Sequence, residues 1–519
     1  TRTYMSSLNT PVNVPAGSCT WDTTLVNTNA RYMTIQGAGS GSTTITDGVT
    51  GNGNKLINWT SVSSGPLRIT GFTFQGGTFD DGNQSGMLVI IGTASEVRFD
   101  NNIVKDTYRQ PIRINGYVRG VADHNTFNRT DQVGTNNGTS IFHNTWSDAA
   151  TGFGDKSWAT AETFGSADAF YFEDNTWIGS TDNYDFGSDG QAGGRAVFRF
   201  NTLTNNNLTF HGGDSGGRLR ALRQVEVYQN AFVYNLSAGE LTPVVTRGGS
   251  ALVWDNTLAL SGGASVANLY QPAVYRHTES AGGSWGGWCK SISIVSITRS
   301  GSTATLTSAS DHGVSSVANF GFQVQGADQS EYNGIFVPTA RTATTIDYTV
   351  SGTPASPATG TITITSPFDG NTDAFGYPCL DQTGRGIDST IMLNNPPTNY
   401  PTQGLTGTYN WNNTIDGALV DHLTSAALAE VVVQGRDVHD SVVGGGGGTG
   451  VARIGRGTLA QRPATCTAPA AGYTAFGYFA TDQGGWNQAT DLSITPGGTG
   501  YTGQGLLYKL GHLLSGLEL

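Results

Sequence analysis

The stretches VRFDNNIV (97–104) and VADHNTF (121–127) share one short pattern: alternating apolar residues, an asparagine, and then a large apolar residue. Further copies are SIFHNTW (140–146), YFEDNTW (171–177), VFRFNTL (197–203), VEVYQNAF (225–232), LVWDNTL (252–258) and YNWNNTI (409–415). Before the last copy the pattern places Asn102, Asn125, Asn144, Asn175, Asn201, Asn230 and Asn256 at spacings of 23, 19, 31, 26, 29 and 26 residues. A repeat of this length predicts a solenoid in which each copy forms one coil.

The asparagine is expected at a sharp turn between two short strands, where it tolerates the left-handed backbone conformation. Asparagines stacked at one position hydrogen-bond from coil to coil, which predicts an asparagine ladder. The flanking apolar residues alternate with period two, so one face of each strand points into the coil. Because one coil cannot bury its apolar face alone, the coils are expected to stack as parallel strands.

Composition agrees with an all-β protein that has many turns. The chain has 73 glycines, 10% aromatic residues and only 13% charged residues. Its net charge of −12 argues against a nucleic-acid partner, because phosphate binding needs clustered lysine and arginine. No apolar run of about 18 residues predicts a membrane span. No signal peptide is recognisable at the start of the sequence, so export is expected after its removal or by virion assembly and lysis.

The segments VPAGSCTW (14–21) and MTIQGAGSGSTTI (33–45) resemble the opening coil of the pectate-lyase-like β-helix superfamily, which includes phage tailspikes and secreted β-helix proteins. The resemblance implies a right-handed parallel β-helix. It also implies a secreted, cell-surface or virion location, and a polysaccharide or cell-surface glycan bound along one side of the coil. The resemblance specifies the fold more than the activity, since the signatures of pectate lyases and polygalacturonases are not evident.

The repeat divides the chain into four predicted parts: β-helix over 1–289, an inserted small antiparallel β-domain over 290–367, β-helix over 368–460, and a capping or oligomerisation module over 461–519. The insertion resembles a small β-domain repeat of phage tail proteins. From Asn256 to Asn413 is 157 residues, so removing the 78 inserted residues leaves 79, or about three coils. The terminal module favours a homo-oligomer, either a trimer or a filament. Cys289 and Cys379 flank the insertion and are either disulfide-bonded or buried free thiols.

Aligning the coils on their asparagines brings together the strands PIRING (111–116), NYDFGSDG (183–190), LTFHGGD (208–214) and PVVTRGG (243–249). Asp185, Asp189, His211 and Asp214 are the candidate catalytic residues, since glycosidases need paired carboxylates and lyases need a base. The candidate substrate-binding residues are Arg113, Arg218, Arg220, Arg223, Arg247, Trp285 and Trp288. The alternative for the charged residues is a structural network of ion pairs between coils.

Two other interpretations concern acidic residues. Asp182, Asp185 and Asp189 have the oxygen ligands that Ca²⁺ prefers, which makes Ca²⁺ the one candidate cofactor, but their spacing matches no EF-hand loop. No other cofactor is expected. Asp123 and His124 look like a catalytic pair, yet they directly precede a ladder asparagine. Variable outward-facing residues at that place are the favoured interpretation.

The sequence thus leaves two hypotheses on function. In the preferred one, the chain binds a polysaccharide and cleaves it as a hydrolase or lyase, or recognises it without cleavage. In the other it is a non-catalytic spike, fibre or filament protein, in which the β-helix is a stiff rod and the insertion is a docking domain.

Overall fold

The computed structural model shows an all-β protein. It describes residues 11–51, 53–61, 65–78, 86–129, 162–179, 185–188, 190, 193–210, 222–235, 242–266, 268–272, 292–312, 314, 322–365, 408–420, 438–441, 454–457, 476–480 and 506–510. The helical content of these residues is one 3-10 turn at Ser330–Tyr332. Within the same residues, no helix is long and apolar enough to cross a bilayer.

Three sheets of stacked strands contain the repeats. The strands of the large sheet are β1 (Val12–Val14), β3 (Leu25–Ala30), β4 (Met33–Gly37), β6 (Ile57–Ser61), β7 (Leu67–Thr70), β9 (Leu88–Asp100), β11 (Ile112–Asp123), β13 (Phe170–Glu173), β16 (Arg195–Arg199), β19 (Gln224–Tyr228), β22 (Ser250–Trp254), β32 (Thr408–Trp411) and β35 (Val438–Ser441). Those of the second sheet are β2 (Gly17–Trp21), β5 (Thr43–Asp47), β8 (Thr73–Gln75), β10 (Ile103–Lys105), β12 (Thr126–Asn128), β14 (Thr176–Ile178), β17 (Thr202–Thr204), β20 (Ala231–Tyr234), β23 (Thr257–Leu260), β33 (Asn413–Ile415) and β34 (Ala418–Val420). The third sheet contains β15 (Asp185–Ser188), β18 (Asn206–Phe210), β21 (Val244–Thr246) and β24 (Tyr270–Pro272).

The chain passes from one sheet to the next and then returns to pair with its own previous repeat. β16 of the large sheet pairs with β13 and β19, while β17 of the second sheet pairs with β14 and β20. Pairing in the three sheets is parallel except for the closing hairpin of β33 and β34. These long parallel sheets are compatible with the predicted β-helix.

The asparagine ladder is confirmed, with a change of membership. In each repeat the side-chain oxygen of the asparagine accepts the backbone N–H of the asparagine before it, as between Asn175 and Asn201 at 3.0 Å. The amide nitrogen donates to a carbonyl of the preceding repeat, as from Asn175 to Ala122 at 2.8 Å. The members are Asn102, Asn125, Asn175, Asn201, Asn230, Asn256 and Asn413.

Asn144 was wrongly placed in the ladder. The backbone N–H of Asn125 donates directly to Asn175 at 2.9 Å, and β12 pairs directly with β14. No repeat therefore lies between these two asparagines. Asn144 itself lies outside the described residues.

The ladder also corrects the count of coils around the insertion. Asn256 donates its backbone N–H to Asn413 at 2.9 Å, and β22 and β23 pair with β32 and β33. The two asparagines are thus in adjacent repeats, so the three coils expected between them do not exist. Subtraction failed because it assumed that every residue outside 290–367 belongs to the stack.

A third correction concerns the left-handed residue. The positive φ belongs to the residue before each ladder asparagine, for example His124 at 54° and Asp174 at 54°, and not to the asparagine. The turn is therefore made one position earlier, and it leaves the asparagine free to direct its amide along the stack. Asn, Asp and His are the non-glycine residues most often found in this conformation.

The core lies on the inner faces of the three sheets. Its aromatic side chains stack in register, with the ring centroids of Phe172 and Phe198 4.6 Å apart and those of Phe127 and Trp177 3.8 Å apart. Aromatic pairs in such an arrangement add to the stability that burial provides.

An antiparallel sheet of seven strands lies within the predicted insertion. Its strands are β25 (Ile292–Ser300), β26 (Thr303–Ser308), β27 (Phe322–Ala327), β28 (Gly334–Phe336), β29 (Ala340–Arg341), β30 (Thr345–Thr349) and β31 (Gly360–Thr365), around a separate apolar core. Near the chain end, β36 (Ile454–Gly457), β37 (Phe476–Ala480) and β38 (Leu506–Leu510) form a small mixed sheet. Of the cysteines, Cys19 is an exposed free thiol. Cys289 and Cys379 lie outside the described residues.

Gly116 provides a test of how closely the repeats stack. It has φ +101° and pairs with Gly92, and a Cβ added to it would lie 2.3 Å from the Gly92 carbonyl oxygen. We expect Gly116→Ala to lower the free energy of unfolding by about 2 kcal/mol, because both the backbone and the strand spacing become strained. Gly41→Ala is the control, since its Cβ would meet nothing within 4 Å. Equal thermal unfolding midpoints for the two variants would contradict this prediction.

Candidate functional site

The side of the large sheet opposite the core has a row of polar residues two positions before the ladder asparagines. In register these are Asp100, Asp123, Glu173 and Arg199 on neighbouring strands, and Thr70 opposes Asp100 on the strand before them. Their core-facing neighbours in sequence, such as Phe99 and Phe172, are apolar and buried. Parallel strands lie about 4.8 Å apart, so the carboxylates of Asp100, Asp123 and Glu173 follow one another on three neighbouring strands at about this spacing.

Arginines neutralise these carboxylates. Arg68 bonds both oxygens of Asp100, at 2.7 and 2.6 Å, and Arg98 bonds both oxygens of Asp123, at 3.0 and 2.8 Å. Burial alone would raise the pKa of Asp100, but hydrogen bonds from Arg68 and Asn101 hold it below its usual value. Two parallel bonds fix a guanidinium in one orientation, so these side chains are positioned before any ligand arrives.

A buried pair ends the row. Arg199 and Glu173 are both fully buried, and the arginine Nε donates to Glu173 Oε2 at 2.6 Å. Burial raises the pKa of Glu173, against the opposing charge of Arg199. Among the residues that the structure describes, none donates a hydrogen bond to Glu173 Oε1. Removing one member of such a pair is costly because the other charge is left buried.

The exposed Asn101, His124 and Asp174, with the half-buried Arg68 and Arg98, form a surface that we name the turn strip. The His124 side chain is 56% exposed, and its Nδ1 lies 2.8 Å from the buried Asp123 Oδ2. Burial raises the pKa of the Asp174 carboxyl, while the neighbouring His124 opposes that rise. His124 is thus exposed, as expected for an outward residue, whereas Asp123 is a buried ion-pair partner and not a variable surface residue.

A second group of polar residues lies further along the same face, beneath the irregular segment 162–168, which we name the strap. Backbone N–H groups of Thr163 and Gly165 donate to Gln224 Oε1 at 2.8 Å and to Glu226 Oε1 at 2.9 Å. The Glu162 carboxylate bonds Arg223 at 2.8 Å and Ser250 at 2.9 Å.

Burial dominates the electrostatics beneath the strap. It raises the pKa of Glu226 to about 7, against the hydrogen bond from Gly165, the charge of Arg199 and the bond from Gln224. Burial and the nearby charge of Arg223 lower the pKa of Arg195 to about 10. A carboxyl with a pKa near neutrality is a group whose charge changes within the physiological range.

The structure separates several residues that the sequence grouped. Asp185 opposes Asn206 at the start of β18, whereas Arg247 follows β21 and donates its backbone N–H to Phe210 at the other end of β18. Arg113 is on β11, opposite Val89 of the large sheet. Arg223 is buried beneath the strap. Outside the described residues lie Asp189, His211, Asp214, Arg218, Arg220, Trp285 and Trp288.

Sequence reasoning missed the turn strip and the strap. A signal for the first was present, because Asp100, Asp123 and Glu173 each stand two residues before a ladder asparagine. No comparable signal marks Glu162, since it lies outside the repeat. Among the residues that the structure describes, no group of three or more His, Cys, Asp or Glu side chains is placed to hold a metal ion. Asp182 and Asp189 of the suggested calcium site are outside that part of the chain.

Comparisons with known proteins add one structural likeness. No protein-family model and no curated protein matches the sequence. Among solved structures, ORF18 of Geobacillus virus E2 is similar over 68% of each chain, with 15% sequence identity and a TM-score of 0.25. A likeness of this degree identifies neither the fold nor the function of the chain.

Proposed function

We propose that the chain is a right-handed parallel β-helix of an extracellular or virion-surface protein, and that it binds a polysaccharide along the turn strip. The observation that carries the proposal is the row of exposed and half-buried planar polar side chains on consecutive strands. Arg98 and His124 are each anchored on the same buried carboxylate, Asp123.

Anchored side chains of this kind suit a sugar ligand. Guanidinium, imidazole, amide and carboxylate groups supply both donors and acceptors to ring hydroxyls. Because ion pairs already fix them, they lose little side-chain entropy on binding. The strands repeat at about 4.8 Å, so a chain polymer that follows the stack meets similar groups at each step.

Cleavage of the polysaccharide is a further part of the proposal. The His124 Nδ1 contacts Asp123, so Nε2 is the ring nitrogen that faces water or substrate for proton exchange. The neighbouring Asp174 supplies a carboxyl group. Asp185, Asp189, His211 and Asp214 stay proposed as catalytic residues of a hydrolase or lyase, with Arg113, Arg218, Arg220, Arg247, Trp285 and Trp288 as binding residues.

Binding to a panel of bacterial and plant polysaccharides tests this function. We expect His124→Ala to weaken binding to the recognised glycan about tenfold, because a hydrogen-bonding group anchored at the surface is lost. Gln229→Ala is the matched control, since Gln229 has the same turn position and φ 53° three repeats away from His124. Equal binding by both variants would place the site elsewhere, and no binding to any glycan by the parent would contradict the function.

The second candidate is a non-catalytic spike, fibre or filament, in which the stacked repeats act as a stiff rod. The ladder and the buried Arg199–Glu173 pair favour it, because they fix the stack without needing a ligand. It predicts ordered self-association as trimers or filaments, with no shortening of any polysaccharide.

A further inference from the structure

We propose that the strap is an autoinhibitory contact. With one carboxylate and two backbone N–H groups, it occupies a face of the large sheet that would otherwise bind a carboxylate-bearing glycan. This inference rests on the proposed function and adds to it a second binding surface, which the strap covers.

The strap contacts the sheet as a ligand would. Three of its contacts are with side chains of the face, namely those of Gln224, Glu226 and Ser250. Its carboxylate, on Glu162, is paired with the buried guanidinium of Arg223. None of these contacts is a strand pairing, so leaving the face would break side-chain bonds and leave the parallel sheet intact.

The face beneath the strap has the composition of a binding surface. Tyr171 and Tyr228 belong to an apolar cluster on this side, against which Phe164 and Ala167 of the strap pack. The polar groups beneath the strap are fully or almost fully buried, while residues 162–168 are themselves only half-buried. A rigid polar and aromatic surface is thus covered by a thin irregular segment, attached at its far end by the Asp168–Arg119 pair at 2.7 Å.

The charge at Arg223 indicates the ligand chemistry. A guanidinium and a hydroxyl, from Arg223 and Ser250, hold the Glu162 carboxylate, and the same pair of donors would hold a carboxylate on a sugar. A ligand reaches the face only in molecules whose strap is open. The apparent affinity of the ligand is therefore the intrinsic affinity multiplied by the fraction of molecules whose strap is open.

Glu162→Gln tests the inference, because it removes the charge that pairs with Arg223 and keeps the shape of the strap. We expect the variant to bind alginate, a carboxylated polysaccharide, about tenfold more tightly than the parent, because more molecules are open. Amide hydrogen exchange over residues 162–168 should be faster in the variant, and alginate should accelerate it in the parent. Glu96→Gln, an exposed glutamate on the same sheet, is the control and should change neither measurement.

The outcomes separate this inference from the proposed function. Unchanged alginate affinity or unchanged strap exchange in Glu162→Gln would overturn the autoinhibitory contact. If neither protein bound alginate, the inference would fail, yet binding of a neutral glycan that depends on His124 would leave the proposed function standing. Faster strap exchange together with tighter alginate binding in Glu162→Gln would support the autoinhibitory contact.

Discussion

Replacing Asn175 by alanine is expected to lower the free energy of unfolding by about 4 kcal/mol. Asn175 is a central member of the ladder and only 1% exposed. Its side-chain oxygen accepts the backbone N–H of Asn125 at 2.9 Å and that residue's amide at 3.0 Å. Its own amide donates to Ala122 O at 2.8 Å and to Asn201 at 3.0 Å.

The expected cost comes from the groups left behind. Alanine removes the acceptor of the buried Asn125 N–H and the donor to the Ala122 carbonyl, and each buried group without its partner costs about 1–3 kcal/mol. A cavity the size of the lost amide adds to this. Water is not expected to replace the amide without cost, because the site is closed on both sides by further repeats.

Denaturant titration of the parent and of two variants measures the effect. Asn29→Ala is the control, because Asn29 is an exposed asparagine near the first repeats and outside the ladder. We expect its unfolding free energy to differ from that of the parent by less than about 0.5 kcal/mol. Equal stability of the Asn175 and Asn29 variants would show that the ladder contributes little to holding the repeats together.

The ladder shows which parts of the fold could be predicted from the sequence. A buried asparagine followed by a large apolar residue was recognisable because every repeat must satisfy the same two backbone groups. The motif was less reliable as a count, since the SIFHNTW stretch around Asn144 satisfies the pattern although Asn125 bonds directly to Asn175. The direct bond between Asn256 and Asn413 could not be predicted, because the repeat pattern does not indicate how many of the residues between two motifs belong to the stacked strands.

The candidate site was predictable only where it follows the repeat. Asp100, Asp123 and Glu173 are fixed by their distance from ladder asparagines, so register alone places them side by side. The strap is different, because Glu162 reaches Arg223 and Ser250 across 61 and 88 positions of sequence through side-chain geometry. Such contacts depend on the path of an irregular segment, which no periodicity encodes.

Replacing Glu226 by glutamine is expected to remove a large pH dependence of stability. Glu226 is buried beneath the strap, and its pKa is raised from 4.5 to about 7. The groups that face it are the Gly165 N–H, Gln224, Arg199, Tyr171 and Tyr228. Burial outweighs the favourable contacts among them, so the folded protein prefers the neutral carboxyl.

The sign follows from the two pKa values. Below pH 4.5 the carboxyl is neutral in both the folded and the unfolded chain, and its ionisation costs nothing. Between pH 4.5 and about 7 it ionises in the unfolded chain first, so the stability of the parent falls as pH rises. Above about pH 7 the loss is complete, at roughly 3 kcal/mol for a shift of this size.

Glutamine keeps the acceptor oxygen for Gly165 and carries no charge at any pH. The difference in unfolding free energy between Glu226→Gln and the parent is therefore expected to rise from near zero at pH 4 to roughly 3 kcal/mol at pH 8 in favour of the variant. Taking this difference cancels the other titrating groups, which are common to both proteins. Glu331→Gln, at an exposed position of the antiparallel sheet region, is the control for the loss of a carboxylate that the strap does not cover. A flat difference for Glu226→Gln would mean that the Glu226 carboxyl titrates alike in the folded and unfolded chain, and that the cover provided by the strap does not penalise its charge.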